Sequence, residues 1–597
     1  MYFTHEIMLK YMQQSVAKKG KQMRVTNRQI AEMFNEIADL IDIDGENPFR
    51  VRAYRNAART ILSYPRSMAE LVEEGFDLSS LRGIGKELAK KITEIVQTGR
   101  LAYLEKLKKN HPPQLETLLK IPGLGPGRVR LLHELLHINS VKDLEHALES
   151  GKVQKVPGFG PKLIEKITAG VKKHRYEEKR YRIDEAEETA EWLRERLLEA
   201  AGVEEVQVAG SIRRCKETVH DIDMVASTTL ESDIMERFTS LDEVTRIIMK
   251  GPTRSSIRLS NGMSVDLRAV PKEEYGATLH HFTGSKAHNI ALRKMAKERN
   301  MKINEYGIYK GEKRLGGEKE SDIYTHLGLD YIEPEMRENR GEIALAQKHA
   351  LPSLITLSDI RGDLHMHTRY SDGMNTIEEM VRAAMEKGYE YIAVTDHTKH
   401  LSVAHGLDEK RLREQLEEID ALNEALKGIT ILKSAEVDIL EDGTLDLPDE
   451  ILSELDLAVC GIHYKFNLSR EKQTKRILKA MEHPAFTILA HPTGRLINLR
   501  EPYAVDMEAV IRAAKARGCI LELNAQPDRL DLNDRHCKMA KEAGVPVAVS
   551  TDAHSVQNLE LMRYGIGQAR RGWLEKADVV NTKNLKELKK LLNEIKR

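Results

Sequence analysis

The chain has 597 residues and a mass of 67.8 kDa, which at about 150 residues per domain corresponds to roughly four structural units. With 41% hydrophobic and 31% charged residues it has an ordinary globular balance, which excludes a collagenous, disordered or disulfide-scaffold chain, and no apolar run reaches the length of a membrane span. The formal charge of zero is uneven, since residues 1–184 carry 33 Lys+Arg against 23 Asp+Glu and the remainder 60 against 70; a basic first third suits a polyanion, and an acidic remainder suits carboxylates around metal ions.

Residues 1–23 read as a polar tail, because His5, Glu6 and Lys10 interrupt its apolar residues and no signal-peptide core forms. The cysteines Cys215, Cys460, Cys519 and Cys537 make no CxxC, so neither a disulfide framework nor a thiolate zinc site is expected, and a reducing cytoplasm fits. Folded structure starts at Thr26-Asn27-Arg28-Gln29, a capping-box pattern ahead of Ile30, Met33, Phe34, Ile37, Leu40 and Ile41. The helical pattern continues to about residue 180 and contains three similar segments, Leu81-Arg82-Gly83-Ile84-Gly85-Lys86, Ile121-Pro122-Gly123-Leu124-Gly125-Pro126 and Val156-Pro157-Gly158-Phe159-Gly160-Pro161. Paired glycines before a helix allow close backbone approach and leave free N–H groups for a phosphate. One such segment is equally well a simple helix connection. Three, at spacings of 40 and 35 residues, resemble helix-hairpin-helix motifs, which grip DNA backbones without reading sequence. Lys90, Lys91, Arg128, Arg130, Lys162 and Lys166 supply the counter-charge.

After a helix expected over about 186–201, residues 206–209 read as a strand leading to Gly210-Ser211, Arg213-Arg214 and the strand Asp221-Ile222-Asp223-Met224-Val225-Ala226. Alternation puts Asp221 and Asp223 on one face, where two carboxylates repel unless a cation joins them. Asp266 in Ser264-Val265-Asp266-Leu267-Arg268 offers a third, completing an all-oxygen site suited to Mg²⁺ with substrate phosphates. Further on stand Phe282-Thr283-Gly284-Ser285, Asn289, Arg293 and Ile303-Asn304-Glu305-Tyr306-Gly307. Together with Asn47-Pro48-Phe49-Arg50, Tyr54-Arg55 and the first hairpin, these residues closely resemble family X DNA polymerases over residues 24–333. The resemblance implies that Asp221, Asp223 and Asp266 are catalytic and hold two Mg²⁺ or Mn²⁺ ions. It also implies that Gly210, Ser211, Arg214, Gly284, Asn289 and Arg293 bind the nucleotide or the nascent pair, and that Gly83, Gly85, Gly123, Gly125, Gly158 and Gly160 contact DNA. Lys91 falls at the position of the family's Schiff-base lysine, although Glu87 and Tyr103 replace basic residues of that pattern. His281 stands where relatives often carry Tyr, which bears on sugar selection.

Beyond a mixed-charge linker expected over 334–358, strand-like and helix-like stretches alternate, with polar residues at the strand ends. His365, His367 and Asp372 are followed by His397, Glu436, His463, His491, Asp552 and His554. The pattern implies a βα barrel whose strand ends converge on one face, and imidazoles mixed with carboxylates suit Zn²⁺, Mn²⁺ or Fe²⁺ better than Mg²⁺. The nine residues in this order resemble the polymerase and histidinol phosphatase (PHP) domain, in which they match the ligands of three divalent metals. Glu522 and Asn524 are read as supporting these ligands.

The expected fold is multidomain α plus α/β: a tail over 1–23, a helical domain with the first hairpin over 24–105, a fingers-like domain with two more over 106–184, a nucleotidyltransferase palm over 185–270, a thumb-like subdomain over 271–333, the linker, and a distorted barrel over 359–597. The expected function is gap filling in DNA repair coupled to a 3′-to-5′ exonuclease, with sugar-phosphate lyase activity a question posed by Lys91 and abasic-site endonuclease activity a separate one. Gapped or nicked DNA and dNTPs are the expected partners of a monomer that does not enter membranes. The competing expectation is a small-molecule phosphatase tethered to a DNA-binding module.

Overall fold

The computed structural model describes residues 25–64, 66–109, 115–176, 180–229 and 231–595, so the expected polar tail lies outside the described residues. The chain divides into two compact units, Met1–Lys179 and Arg180–Arg597.

The first unit is helical. Thr26 caps the helix Asn27–Ile43 in a reciprocal capping box with Gln29, as its sequence implies. Ile30, Phe34, Ile37 and Ile41 recur at helical spacing and are buried, packing with Val51, Tyr54 and Ile61 of helix Pro48–Ser63 and with Ile92 and Ile95 of helix Lys86–Thr98. Burial of each such side chain contributes about 1.5–3 kcal/mol, which holds together helices too short to persist alone. A second core gathers Leu118, Ile121, Val129, Leu132, Phe159 and Ile167. In all three hairpins the first glycine has positive φ (Gly83 84°, Gly123 102°, Gly158 85°). Gly85 and Gly125 then stand at the N-caps of helices Lys86–Thr98 and Pro126–Leu136, with no side chain covering the first N–H groups. At Gly123 a Cβ would also lie 2.9 Å from Leu163 Cδ1, so a side chain there would push the end of that leucine aside.

In the second unit, a five-stranded sheet runs in the order Val203–Val208, Asp221–Thr228, Ser264–Val270, Arg254–Leu259, Val244–Lys250. Its second and third strands are parallel and the remaining pairs antiparallel. Ile222, Met224 and Ala226 point to the face covered by helix Ile183–Leu198 (Leu193, Leu197) and helix Ile234–Thr239 (Phe238). The other face receives Val225, against Tyr275 and Leu279 of helix Tyr275–Thr283, and carries Asp221 and Asp223 at its end. Helix Lys286–Glu298, a small three-stranded sheet over 302–316 and helix Ser321–His326 follow.

The segment 334–358, expected as a linker, carries folded structure, with the helix Glu342–Gln347 and two short 3-10 turns. Met336 and Ala346 join the core formed by Leu292, Ile308 and Tyr324, Arg337 is fully buried, and Ile355 N–H donates to Leu574 O. Several of its charged groups pair with residues outside the segment, Arg337 with Glu320, Arg340 with Asp534, Glu338 with Arg214 and Glu342 with His288.

The barrel is built of short parallel strands, wholly buried except at the two ends of Thr430–Lys433: Gly362–Asp363, Tyr391–Val394, Thr430–Lys433 continuing as Glu436–Asp438, Ala458–Gly461, Phe486–Leu489, Ile520–Asn524 and Val547–Ser550. These near-continuous apolar runs are what strands covered on both faces require. A parallel bridge from Met366 to Ala553 joins first to last, and one from His397 to Glu436 spans the break between the two hydrogen-bonded sheets. Helix Leu585–Ile595 packs Leu588 and Leu592 against Leu432, Val459, Ile488 and Ala548.

Candidate active sites

Asp223 and Asp266 are register partners on adjacent parallel strands, and Asp221 lies two residues from Asp223 on the same face. Gly210, with φ of 59°, closes this cluster from above: a Cβ there would fall 2.2 Å from Asp223 Oδ2, so only glycine lets the backbone approach the carboxylate. Burial, followed by the charges of Asp221 and Asp266, pushes the Asp223 carboxyl up to about 7. Asp266 accepts a short hydrogen bond from Ser256 Oγ, and Arg254 Nη2 lies 3.5 Å from its Oδ1. The three carboxylates share one sheet face and raise Asp223 together, and a divalent cation is the group that would remove that repulsion, although among the described residues their oxygens do not gather as closely as the barrel ligands do.

Ser211 is the second residue of the short helix Gly210–Arg213 beside this cluster. Arg214 directs Nε to Glu338 Oε1 at 3.1 Å and Nη1 to the carbonyl of Thr283, and a Cβ on Gly284 would sit 3.2 Å from that Nη1, so Arg214 and Gly284 are close neighbours. Asn289 Nδ2 donates to His281 O at 2.8 Å, and Arg293 Nη2 donates to His281 Nδ1 at 2.9 Å, which puts the imidazole proton on Nε2. Burial and then Arg293 hold the His281 pKa below its ordinary value, so the ring is neutral.

Sequence reasoning assigned no role to Arg213. Its guanidinium is bidentate to Glu320 at 2.8 Å on both oxygens, and Glu320 also accepts from Arg337 and from Tyr331 Oη. Desolvation would raise the Glu320 carboxyl, but Arg337 and Arg213 outweigh it and hold it far below the carboxylate range. A partner 107 residues away leaves no local signal.

In the helical unit Lys91 Nζ lies 3.5 Å from Glu87 Oε2 and 5.3 Å from the Tyr103 ring centre. Arg50 Nη2 donates to Tyr103 Oη at 2.9 Å. Glu87 and Tyr103 therefore surround the lysine with an anion and an aromatic face in place of further cations.

All nine barrel residues converge. His365, His367 and Asp552 form one group of potential ligands; His367, Asp372, His397 and His554 a second; His397, Glu436 and His463 a third. Glu436 is central, with Oε1 2.8 Å from His491 Nε2 and 3.0 Å from His463 Nε2, and Oε2 2.9 Å from His397 Nδ1. His367 Nε2 lies 3.0 Å from Asp552 Oδ1, while its buried Nδ1 has no hydrogen-bond partner. Outer contacts orient these rings: His365 Nδ1 meets Glu522 Oε1 at 2.6 Å, Asn524 Nδ2 donates to Asp552 Oδ2 at 3.0 Å, and His463 Nδ1 meets Asp438 Oδ1 at 3.0 Å. Asp438 was not foreseen, although its place two residues after Glu436 on the same strand was a usable signal. An orphaned buried imidazole nitrogen and overlapping nitrogen–oxygen donor sets fit divalent metals.

A nucleotidyltransferase-type sheet with converging carboxylates, followed by a thumb-like subdomain and a metal-ligating barrel, defines a metal-dependent nucleotidyl-transfer enzyme with a second, hydrolase-like centre. Family models agree: a helix-hairpin-helix domain matches residues 25–101, a SAM-like helix-hairpin-helix tandem 115–173, the DNA polymerase beta thumb 278–338 and the PHP domain 363–525. The chain is 40% identical over 571 residues, 95% of its length and 99% of the relative's, to the DNA polymerase/3′-5′ exonuclease PolX of Bacillus subtilis (strain 168). Over 246 residues, 39% of this chain and 95% of the relative, it is 31% identical to a probable phosphatase of Thermoanaerobacter sp. (strain X514). A probable phosphatase of Syntrophotalea carbinolica is 29% identical over 230 residues, 37% of this chain and 90% of the relative. The chain belongs to the family X DNA polymerases, in the group that carries a PHP domain. Its polymerase and PHP parts imply use of divalent metal, and its hairpin and thumb domains imply binding of DNA and dNTPs. No helix among the described residues is long and apolar enough to cross a membrane.

Proposed function

We propose that this enzyme is a DNA-directed DNA polymerase that fills short gaps during repair and removes 3′ nucleotides at its PHP barrel. The observation that carries the polymerase reading is the register of Asp223 against Asp266 with Asp221 beside them. Asp221, Asp223 and Asp266 would hold Mg²⁺ or Mn²⁺, which when bound neutralises charge on the reacting phosphate and lowers the pKa of the primer hydroxyl. Ser211 and Arg214 orient the triphosphate, Gly284 leaves room for the sugar, and Asn289 with Arg293 fixes His281 against the nascent pair. The glycine hairpins present backbone N–H groups to DNA phosphates on either side of the gap or nick. Residues 24–333 form the polymerase and 359–597 the barrel in this reading, and the folded monomer is the working unit. Its free cysteines accord with a reducing cytoplasm.

In the barrel, His365, His367, Asp372, His397, Glu436, His463, His491, Asp552 and His554 would hold three ions drawn from Mn²⁺, Zn²⁺ and Fe²⁺, which when bound supply an activated water and a seat for phosphate oxygens. Glu522 and Asp438 keep the imidazoles of His365 and His463 in the ligating tautomer. The barrel's likeness to two probable phosphatases favours a second reading, hydrolysis of a small phosphomonoester. A 5′-labelled primer in a one-nucleotide gap, incubated with dNTPs and Mn²⁺, tests both. Asp221→Ala/Asp223→Ala is expected to abolish extension while shortening persists, and His365→Ala/His367→Ala to do the reverse. Release of phosphate from nucleotides or histidinol phosphate with no shortening of DNA favours the phosphatase.

A further inference from the structure

Arg214, assigned above to the triphosphate, takes its fixed geometry partly from the barrel. Besides Arg214 Nε, Glu338 Oε1 receives Arg571 Nη1 at 3.1 Å and lies 3.6 Å from Lys216 Nζ. The same Arg571 Nη1 donates to the carbonyl of Arg214 at 2.7 Å, so one guanidinium grips both the backbone of Arg214 and the carboxylate that holds its side chain. Arg571 ends the barrel helix Met562–Arg571. Its own Nη2 is anchored on Asp534 Oδ2 at 2.7 Å, and Arg340 Nη1 lies 3.0 Å from that oxygen. The side chains of Arg571, Glu338 and Arg214 are only 2%, 12% and 12% exposed, so these contacts are weakly screened. Burial acts to raise the Glu338 carboxyl, but Arg571, Arg214 and Lys216 outweigh it and keep it ionised.

We infer that Arg571 and Glu338 are positioning residues for dNTP binding at the polymerase site, acting through Arg214. With Nε on Glu338 and Nη1 on the Thr283 carbonyl, the side chain is confined before the nucleotide arrives, and among the described residues no hydrogen bond occupies its Nη2. An arginine free to rotate would lose that freedom on binding a triphosphate, and the loss appears as weaker affinity. Glu338 and Arg571 make no hydrogen bond to the acid cluster among the described residues, and Arg214 keeps its charge when either is substituted, so the chemical step is expected to change little. The barrel thereby takes part in nucleotide binding at a site other than its own.

This inference rests on the assignment of Arg214 to the triphosphate, and the test separates the two. The dNTP KM and kcat of one-nucleotide gap filling are measured for the full chain and for Glu338→Gln, Arg571→Met, Arg571→Lys and Arg214→Lys, with primer shortening assayed on the same preparations. Glu338→Gln and Arg571→Met are expected to raise KM about tenfold with kcat within about twofold and shortening unchanged, the size of effect that contacting residues in one network show. Arg571→Lys should fall between them and the wild type, and Glu338→Gln added to Arg214→Lys should raise KM no further than Arg214→Lys alone. If KM stays within about twofold for Glu338→Gln and Arg571→Met while Arg214→Lys raises it about tenfold, the inference is overturned and the nucleotide assignment stands. An unchanged KM in Arg214→Lys removes the assignment itself, and the inference with it. Parallel loss of kcat and of primer shortening in Glu338→Gln would mean that the network only holds the domains together, which also overturns it.

Discussion

Asp223→Asn isolates the strain stored in the acid cluster. Burial and the neighbouring charges of Asp221 and Asp266 raise the Asp223 carboxyl from an ordinary 3.8 to about 7, a rise equivalent to about 4 kcal/mol. Because the folded pKa lies above the unfolded one, protons favour the native state. The metal-free protein therefore loses stability as pH climbs from about 4 to about 7, and above that range carries the whole penalty. Asparagine keeps the shape and removes the charge. In EDTA at pH 8 the second unit of the variant should resist denaturant better than the wild type by up to about 4 kcal/mol, and the difference should shrink to about 2 kcal/mol at pH 5. Mn²⁺ should reverse the order, since only the wild type retains the full carboxylate set, and extension by the variant should fall about a thousandfold or more. Urea unfolding followed by tryptophan fluorescence at the two pH values, with and without Mn²⁺, reads the effect. An Asp223→Asn protein less stable than wild type in EDTA at pH 8 would refute the reasoning, because it would mean that the carboxylate is well satisfied without a cation.

Gly123→Ala should weaken binding of gapped DNA and destabilise the helical unit by more than about 1 kcal/mol, since it combines positive φ with a Cβ 2.9 Å from Leu163; fluorescence anisotropy and thermal melting of the full chain measure both. Glu320→Gln should destabilise the second unit by about 3–5 kcal/mol, because it leaves the buried Arg337 and the half-buried Arg213 without their shared carboxylate, and chemical denaturation checks it. As the folded Glu320 carboxyl lies below its unfolded value, the contribution is present at neutral pH and fades as acid protonates it, so the wild-type and variant curves should converge at low pH. Glu522→Gln should lower primer shortening about 10- to 100-fold with extension intact, as it loosens His365 without removing a ligand; bound metal measured by atomic emission should fall in parallel.

Much of this protein was legible as short-range pattern. The capping box at Thr26, the paired glycines of the three hairpins, the alternation that puts Asp221 and Asp223 on one face, and the barrel residues at successive strand ends all depend on neighbours a few positions apart, where backbone dihedrals and the periods of helix and strand decide direction. Other features had no such signature. The register of Asp223 with Asp266, the meeting of Arg213 with Glu320, the grip of Arg571 on Glu338 across 233 residues, and the burial of Met336 and Ala346 in a core where a linker was expected were decided by packing. Charged groups in those segments carry no local signal because their partners lie far away in the chain. Only the closed fold brings the opposite charge within hydrogen-bond distance, and the low-dielectric interior then makes the pairing obligatory.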